Sequence, residues 1–306
     1  MKLYFAPLEG ITTFTYRNTH FEMFGGCDEY FSPFLTPTDN ERLSAKTMRD
    51  ILPEKNTVNL RVQCLANSGE AFINLVEKIS RYGYNEVNLN LGCPSGTVVK
   101  KSKGSGALRN LDQLYSFLDY IYSHSKMDIS IKSRTGFSSH TEFEEILKIY
   151  SHFPVSELII HPRIREEFYK GTPNLNSFEL AYNNYNFKLC YNGDITSVSD
   201  FNKITERYPD LNGVMIGRGA LRNPAIFREI NGGEKLKTSE LISFSNQLEK
   251  RYIPILGSEV YTLHKLKEIW IYIMENYPDE KKIFKAVKKS NSLPELNNAI
   301  NCLPEL

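Results

Sequence analysis

The chain reads as an α/β protein, a (β/α)8 barrel followed by a small helical domain, and three observations predict this. Its 306 residues suit one barrel of about 250 residues plus an appendage. Eight short apolar or β-rich runs begin near Leu3, Tyr30, Val58, Val87, Ile129, Leu158, Lys188 and Val214, with helical periodicity between them, as in residues 71–82 and 111–122. Beyond about Asn231 the strand signals stop, and residues 239–250, 261–276 and 281–289 read as helices.

The strand starts fall about 26 to 30 residues apart, except for about 42 between the fourth and fifth, which is the βα rhythm a barrel requires. The extra length lies in residues 92–109. A long loop after a barrel strand opens on the C-terminal face, where barrel enzymes keep their active sites, although a tolerated surface insertion would look the same. The domains are therefore expected at 1–232 and 233–306, with helix breaks at Gly232-Gly233, Pro254, Gly257 and Pro278.

Composition excludes several classes. With 41% hydrophobic and 24% charged residues, neither disorder nor a fibrous protein is indicated. The net charge of +1 gives no global footprint for nucleic acid, so any RNA contact must come from local basic patches. No apolar run approaches the roughly 18 to 20 residues of a membrane span, and residues 1–5 open no cleavable leader; a cytoplasmic protein is expected. Five scattered cysteines without a CxxC pair speak against a disulfide framework and a structural zinc site. No bound metal is expected.

The strongest motif is Val87-Asn88-Leu89-Asn90-Leu91-Gly92-Cys93-Pro94-Ser95, where a strand delivers a cysteine to the working face. A free cysteine is ordinarily a small buried hydrophobe, and Cys27, Cys64, Cys190 and Cys302 are read that way. The strand-end position makes Cys93 a reactive-group candidate. Phosphate-binding features follow at the eighth strand, in Gly213-Val214-Met215-Ile216-Gly217-Arg218-Gly219-Ala220, and at the seventh, in Asn192-Gly193-Asp194. Barrels often hold a phosphate there, where backbone N–H groups and a helix dipole face the anion. Single polar residues close three more strands, Gln63, Lys132 and His161, and Pro7-Leu8-Glu9 follows the first. Each alone reads as an ordinary surface or satisfied residue; at so many strand ends, a shared rim is the better explanation.

These motifs resemble the tRNA-dihydrouridine synthase family. The resemblance runs from Phe5 to about the C-terminus and rests on Leu89-Asn90-Leu91-Gly92-Cys93-Pro94, Gly104-Ser105, Ile131-Lys132-Ser133-Arg134, His161-x-Arg163 and Met215-Ile216-Gly217-Arg218-Gly219-Ala220. It implies FMN held by Pro7, Leu8, Glu9, Gln63, Lys132, His161, Asn192, Gly193, Asp194, Gly217 and Arg218, NADPH or NADH as reductant, and Cys93 as proton donor during reduction of the uridine C5=C6 bond. The family usually has methionine at Leu8, aspartate at Asn88 and often asparagine at Val99, so contacts there are expected to differ. Two alternatives are weighed beside it: an FMN barrel dehydrogenase acting on a free pyrimidine, and a non-catalytic RNA-binding relative. A helical tail beyond the barrel argues against the first, and a full set of flavin residues with Cys93 against the second.

For tRNA, phosphate contacts require cations near the mouth. Lys100, Lys101 and Lys103 sit in the long loop, and Arg163 and Arg165 leave the sixth strand. Asn90 is assigned to the substrate side. Lys281, Lys285 and Lys288 recur at helical spacing; such a stripe is either a solvated face or an RNA contact. The resemblance assigns the helical domain, with Lys265 and Lys267, to tRNA docking. A monomer without an obligate protein partner is expected.

Overall fold

The computed structural model describes residues 1–38 and 43–306. Eight parallel strands close into a barrel: β1 (Lys2–Phe5), β2 (Glu29–Phe31), β3 (Leu60–Cys64), β4 (Glu86–Leu91), β5 (Asp128–Arg134), β6 (Leu158–His161), β7 (Leu189–Tyr191) and β8 (Gly213–Ile216). Pairing of β1 with both β2 and β8 closes the ring. The strands are buried on both faces, as runs like Leu158-Ile159-Ile160 demand. Helices return the chain outside the ring, and their starts are fixed by Ser68, Asn110, Asn174 and Ser197, whose side chains accept from the backbone N–H three residues on.

The C-terminal part consists of helices Thr238–Leu256, Glu259–Ile273, Lys281–Lys289 and Leu293–Ile300. Pro254, expected as a break, lies inside the last turn of the first of these, and the helix ends instead at Gly257, whose φ of +64° suits glycine. The helices share the barrel's apolar core. Phe244 packs edge-on against Tyr16, in the first barrel helix (Phe14–Met23), and Phe24, which caps it, with ring centres 5.4 and 5.2 Å apart. Arg251 pairs with Glu22, and Arg228 pairs with Glu240 at 2.8 Å.

At the N-terminal end of the barrel, Arg61 is buried among three glutamates. It forks onto Glu29 at 3.0 and 2.8 Å, and meets Glu157 at 2.7 Å and Glu86 at 3.2 Å. Its guanidinium also lies 5.1 Å from the Phe31 ring centre and 5.6 Å from that of Tyr4. The Tyr4 hydroxyl donates to Glu157. This closed network plugs the barrel below a small apolar cluster of Tyr4, Phe31, Ile159, Cys190 and Met215.

Candidate active site

At the opposite end, the strand exits enclose a cavity of about 370 Å³. Pro7, Leu8, Glu9, Gln63, Asn90, Cys93, Lys132, His161, Asn192, Gly193, Asp194, Gly217 and Arg218 all line it. The eleven positions expected to hold a cofactor thus converge on one space with Cys93.

Cys93 is positioned by its backbone. Asn90 Oδ1 accepts from the N–H groups of Gly92 at 3.0 Å and Cys93 at 2.9 Å, while Ser105 donates both its N–H and its hydroxyl to the Cys93 carbonyl. Gly104 must approach this turn so closely that a Cβ there would stand 2.8 Å from the Cys93 oxygen. Burial pushes the Cys93 thiol up, reinforced by Glu9 and opposed by the Ser95 backbone, Arg134 and Lys132. It is therefore a thiol at neutral pH, able to give a proton.

Lys132 rises from β5 into the cavity with no hydrogen-bond or ion-pair partner among the described residues. Burial pushes its ammonium down to about 8, and Arg134 adds repulsion. An unpaired cation so placed calls for an electron-rich ligand. Gln63 and Asn90 form a chain behind it: Asn90 Nδ2 donates to Gln63 Oε1 at 2.7 Å, Gln63 Nε2 to Asn88 Oδ1 at 2.8 Å, and Asn88 to Ser130. Asn90, expected toward substrate, therefore has its amide engaged in shaping the Cys93 turn as well as lining the cavity.

His161 accepts at Nε2 from Arg163, 3.0 Å away. An arginine only donates, so the imidazole proton resides on Nδ1. Burial, then Arg134, Lys132, Arg163 and Arg218, holds this histidine well below its usual range, hence neutral. Arg163 itself corrects an expectation. Rather than reaching RNA phosphate, it is 0% exposed, chelated by Asp194 and by the carbonyls of Lys170 and Gly171. The strand-exit loop turns it inward because those groups need a donor.

Asp194 also accepts from Arg218 at 2.8 Å, so the arginine expected at a phosphate stands paired at the cavity edge. The cradle is formed by close backbones: a Cβ on Gly219 would meet the Ile195 oxygen at 2.0 Å. Asn192 donates to the Met215 carbonyl, tying β7 to β8. Four further lining residues were not singled out from the sequence as site residues. Arg134 donates to Gly92, Ile164 and Phe168 carbonyls, and Tyr169, 47% exposed, covers the mouth beside Arg218 and His161. Arg222 and Glu275 join them, the latter from the helical part. Of these four, Arg134 alone falls within a recognised motif.

Of the remaining cations, Lys100 and Lys101 are exposed and Lys103 is half-buried, all outside the cavity lining. Lys265 is paired with Glu268 at 2.6 Å, and Lys267 donates to the Ser290 carbonyl. Lys281, Lys285 and Lys288 are exposed together. Cys302, expected to be buried, is exposed; Cys27, Cys64 and Cys190 are buried.

A parallel barrel that gathers a thiol, an unpaired lysine and a glycine-lined cradle at its C-terminal mouth belongs to the barrel enzymes. The family model described as "Dihydrouridine synthase (Dus)" matches residues 4–302. The chain is 28% identical to tRNA-dihydrouridine synthase B of Proteus vulgaris, covering 94% of this chain and 91% of that one. It is 26% identical to tRNA-dihydrouridine synthase B of Escherichia coli (strain K12), covering 95% and 92%. Morphinone reductase shares the fold, with a TM-score of 0.55 at 10% identity over 76% of this chain and 86% of that one. The chain belongs to the dihydrouridine synthase family and is a flavin-dependent oxidoreductase, a result that favours this reading over a free-pyrimidine dehydrogenase.

Proposed function

We propose that the protein reduces the C5=C6 bond of particular uridines in tRNA, using FMN and NADPH or NADH, in the cytoplasm and as a monomer. The observation that carries this is the sharing of one cavity by the Cys93 thiol and the unpartnered Lys132 ammonium. Among the described residues no helix is long and apolar enough to cross a membrane. The cavity suits a flavin because it offers a cation, Lys132, with no ion-pair partner among the described residues and a glycine-lined cradle at its edge. Gly193, Gly217 and Arg218 would hold the phosphate, Lys132 the electron-rich edge of the ring, and Pro7, Leu8, Glu9, Gln63, Asn192 and His161 the remaining polar and apolar faces. When bound, the flavin supplies the hydride for C6.

The protein's own part is proton transfer and orientation. Cys93 gives its proton to C5, and its raised pKa keeps that proton available. Asn90 and Ser105 hold the thiol in place through its backbone. Neutral His161 offers an Nδ1–H donor without adding charge. The helical part from residue 233 serves as a docking surface for tRNA, with Lys281, Lys285 and Lys288, and with Lys100, Lys101 and Lys103 on the barrel. Lys265 and Lys267 support that surface from their internal pairings.

Single-turnover oxidation of the reduced enzyme by tRNA tests the proposal. Cys93→Ala should bind flavin and tRNA and accept electrons normally, yet form dihydrouridine about 10²- to 10⁴-fold more slowly. Cys93→Ser should fail too. Equal rates in Cys93→Ala and the parent would return Cys93 to the role of a packing residue.

A further inference from the structure

Four arginines follow or end β4, β5 and β6, and the structure divides them. Arg134 and Arg163 are buried and satisfied by backbone carbonyls or Asp194. Arg109, at the end of the long β4 loop, and Arg165, just after β6, have no carboxylate partner among the described residues. Both lie instead against one aromatic ring, that of Phe137 after β5: the guanidinium carbons stand 4.2 Å and 5.4 Å from its centre. Arg165 is also 4.9 Å from the Phe168 ring centre, and its Nε is buried without a partner. The neighbouring Tyr169 continues the alternation, with Arg218 at 4.6 Å, into the cavity.

This row is built in advance. The Glu142 carboxylate accepts the N–H groups of Phe137, Ser138 and Ser139, and the β6 exit donates to the segment following β5 through Arg165 N–H to the Gly136 carbonyl and Glu166 N–H to the Phe137 carbonyl. Arg109 is exposed, while Phe137 and Arg165 are half-exposed. The nearby Glu167 carboxylate accepts from His140 and the Ile164 N–H and forms no ion pair with Arg165 among the described residues. Alternating planar cations and rings that lead to a reactive cavity, with Arg109 and Arg165 free of carboxylate partners among the described residues, match an unstacked nucleic-acid strand: phosphates find the guanidiniums, and bases find flat faces.

We propose that Arg109, Phe137, Arg165 and Phe168 form a stacking track for the single-stranded RNA flanking the reacting nucleotide. The track rests on the reading of the cavity as a tRNA-modifying site. A fluorescent eight-nucleotide oligouridylate, titrated by anisotropy across a salt series, probes it directly. R109Q/R165Q should bind about tenfold or more weakly, with the log–log salt slope reduced by about 1.4, two phosphates at roughly 0.7 each on a single strand. Phe137→Leu should also weaken binding, yet leave the slope unchanged, because it removes a face and keeps both charges. Flavin content and reduction by NADPH should match the parent in all variants. Arg109→Gln alone, at an exposed position, keeps the test intact if the double variant folds poorly; it should show about half the slope change. Parental affinity and slope in Arg109→Gln and R109Q/R165Q would overturn the track. So would displacement of the oligonucleotide by polyglutamate as readily as by unlabelled oligouridylate, which would mark a general anion surface. A parent enzyme that forms no dihydrouridine in tRNA would instead defeat the cavity's assignment, a separate readout from oligonucleotide binding.

Discussion

Arg61 and Lys132 project from barrel strands toward opposite ends of the barrel, and the fold treats them oppositely. Arg61 is surrounded by Glu29, Glu86 and Glu157 and two aromatic rings, with its donors engaged inside the protein. Lys132 faces the cavity with no ion-pair or hydrogen-bond partner among the described residues. A buried charge that is fully answered by its own chain belongs to the scaffold; one left unanswered stores a demand that only a ligand meets. The same rule separates Arg163 from Arg165, which lie two residues apart.

Breaking the scaffold end should have the largest effect on stability. Arg61→Met strands at least two buried carboxylates, and removing one partner of such a network typically costs about 3–5 kcal/mol; chemical denaturation should show it, and a loss under about 1 kcal/mol would mean the plug is dispensable. The ligand end should behave in reverse. In flavin-free protein Lys132 has a pKa of about 8 against an ordinary 10.5, so between those values the folded state holds fewer protons than the unfolded one. Stability should therefore rise as pH climbs from about 8 to 10.5, by at most about 3.5 kcal/mol at roughly 1.4 kcal/mol per unit, less whatever cavity water screens. Lys132→Met should abolish that rise, and an identical pH profile in the two proteins would refute it.

Ligand retention sharpens the contrast further. Lys132→Ala and Arg218→Ala should each lower flavin affinity about tenfold to a hundredfold, the worth of a charged hydrogen bond of about 1.5 to 3 kcal/mol, as read by flavin released on gel filtration. Undiminished flavin in both would remove these residues from the cofactor's surroundings. The smallest effect is expected farthest away: Lys281, Lys285 and Lys288 replaced together should weaken tRNA binding and flatten its salt dependence by up to about one unit for each phosphate they had neutralised, with flavin content unchanged. Parental tRNA binding at every salt concentration would make the stripe a solvated face.

What was legible in the sequence follows from chain order. Gln63, Lys132 and His161 each terminate an apolar run, and in a parallel barrel all such termini emerge on one face, so their convergence needed no knowledge of loop paths. Tyr169, Arg222 and Glu275 reach the cavity through a loop, a five-residue helix and a distant helical segment, and no periodicity encodes that. The burial of Arg163 was hidden for a related reason: an arginine after a strand looks the same whether the loop curls over it or leaves it in water. Pro254 shows the limit of local rules, since a proline three residues before the αL glycine is carried by the last helical turn.

The seam where Phe244 meets Tyr16 and Phe24 has a practical side for anyone preparing fragments. A gene truncated after the Gly232-Gly233 codons would express a barrel whose first helix displays those rings, and Glu22 without Arg251, to water. Such a product should accumulate in inclusion bodies, and proteolysis of the whole protein should nick exposed loops before it frees the helices as a separate piece.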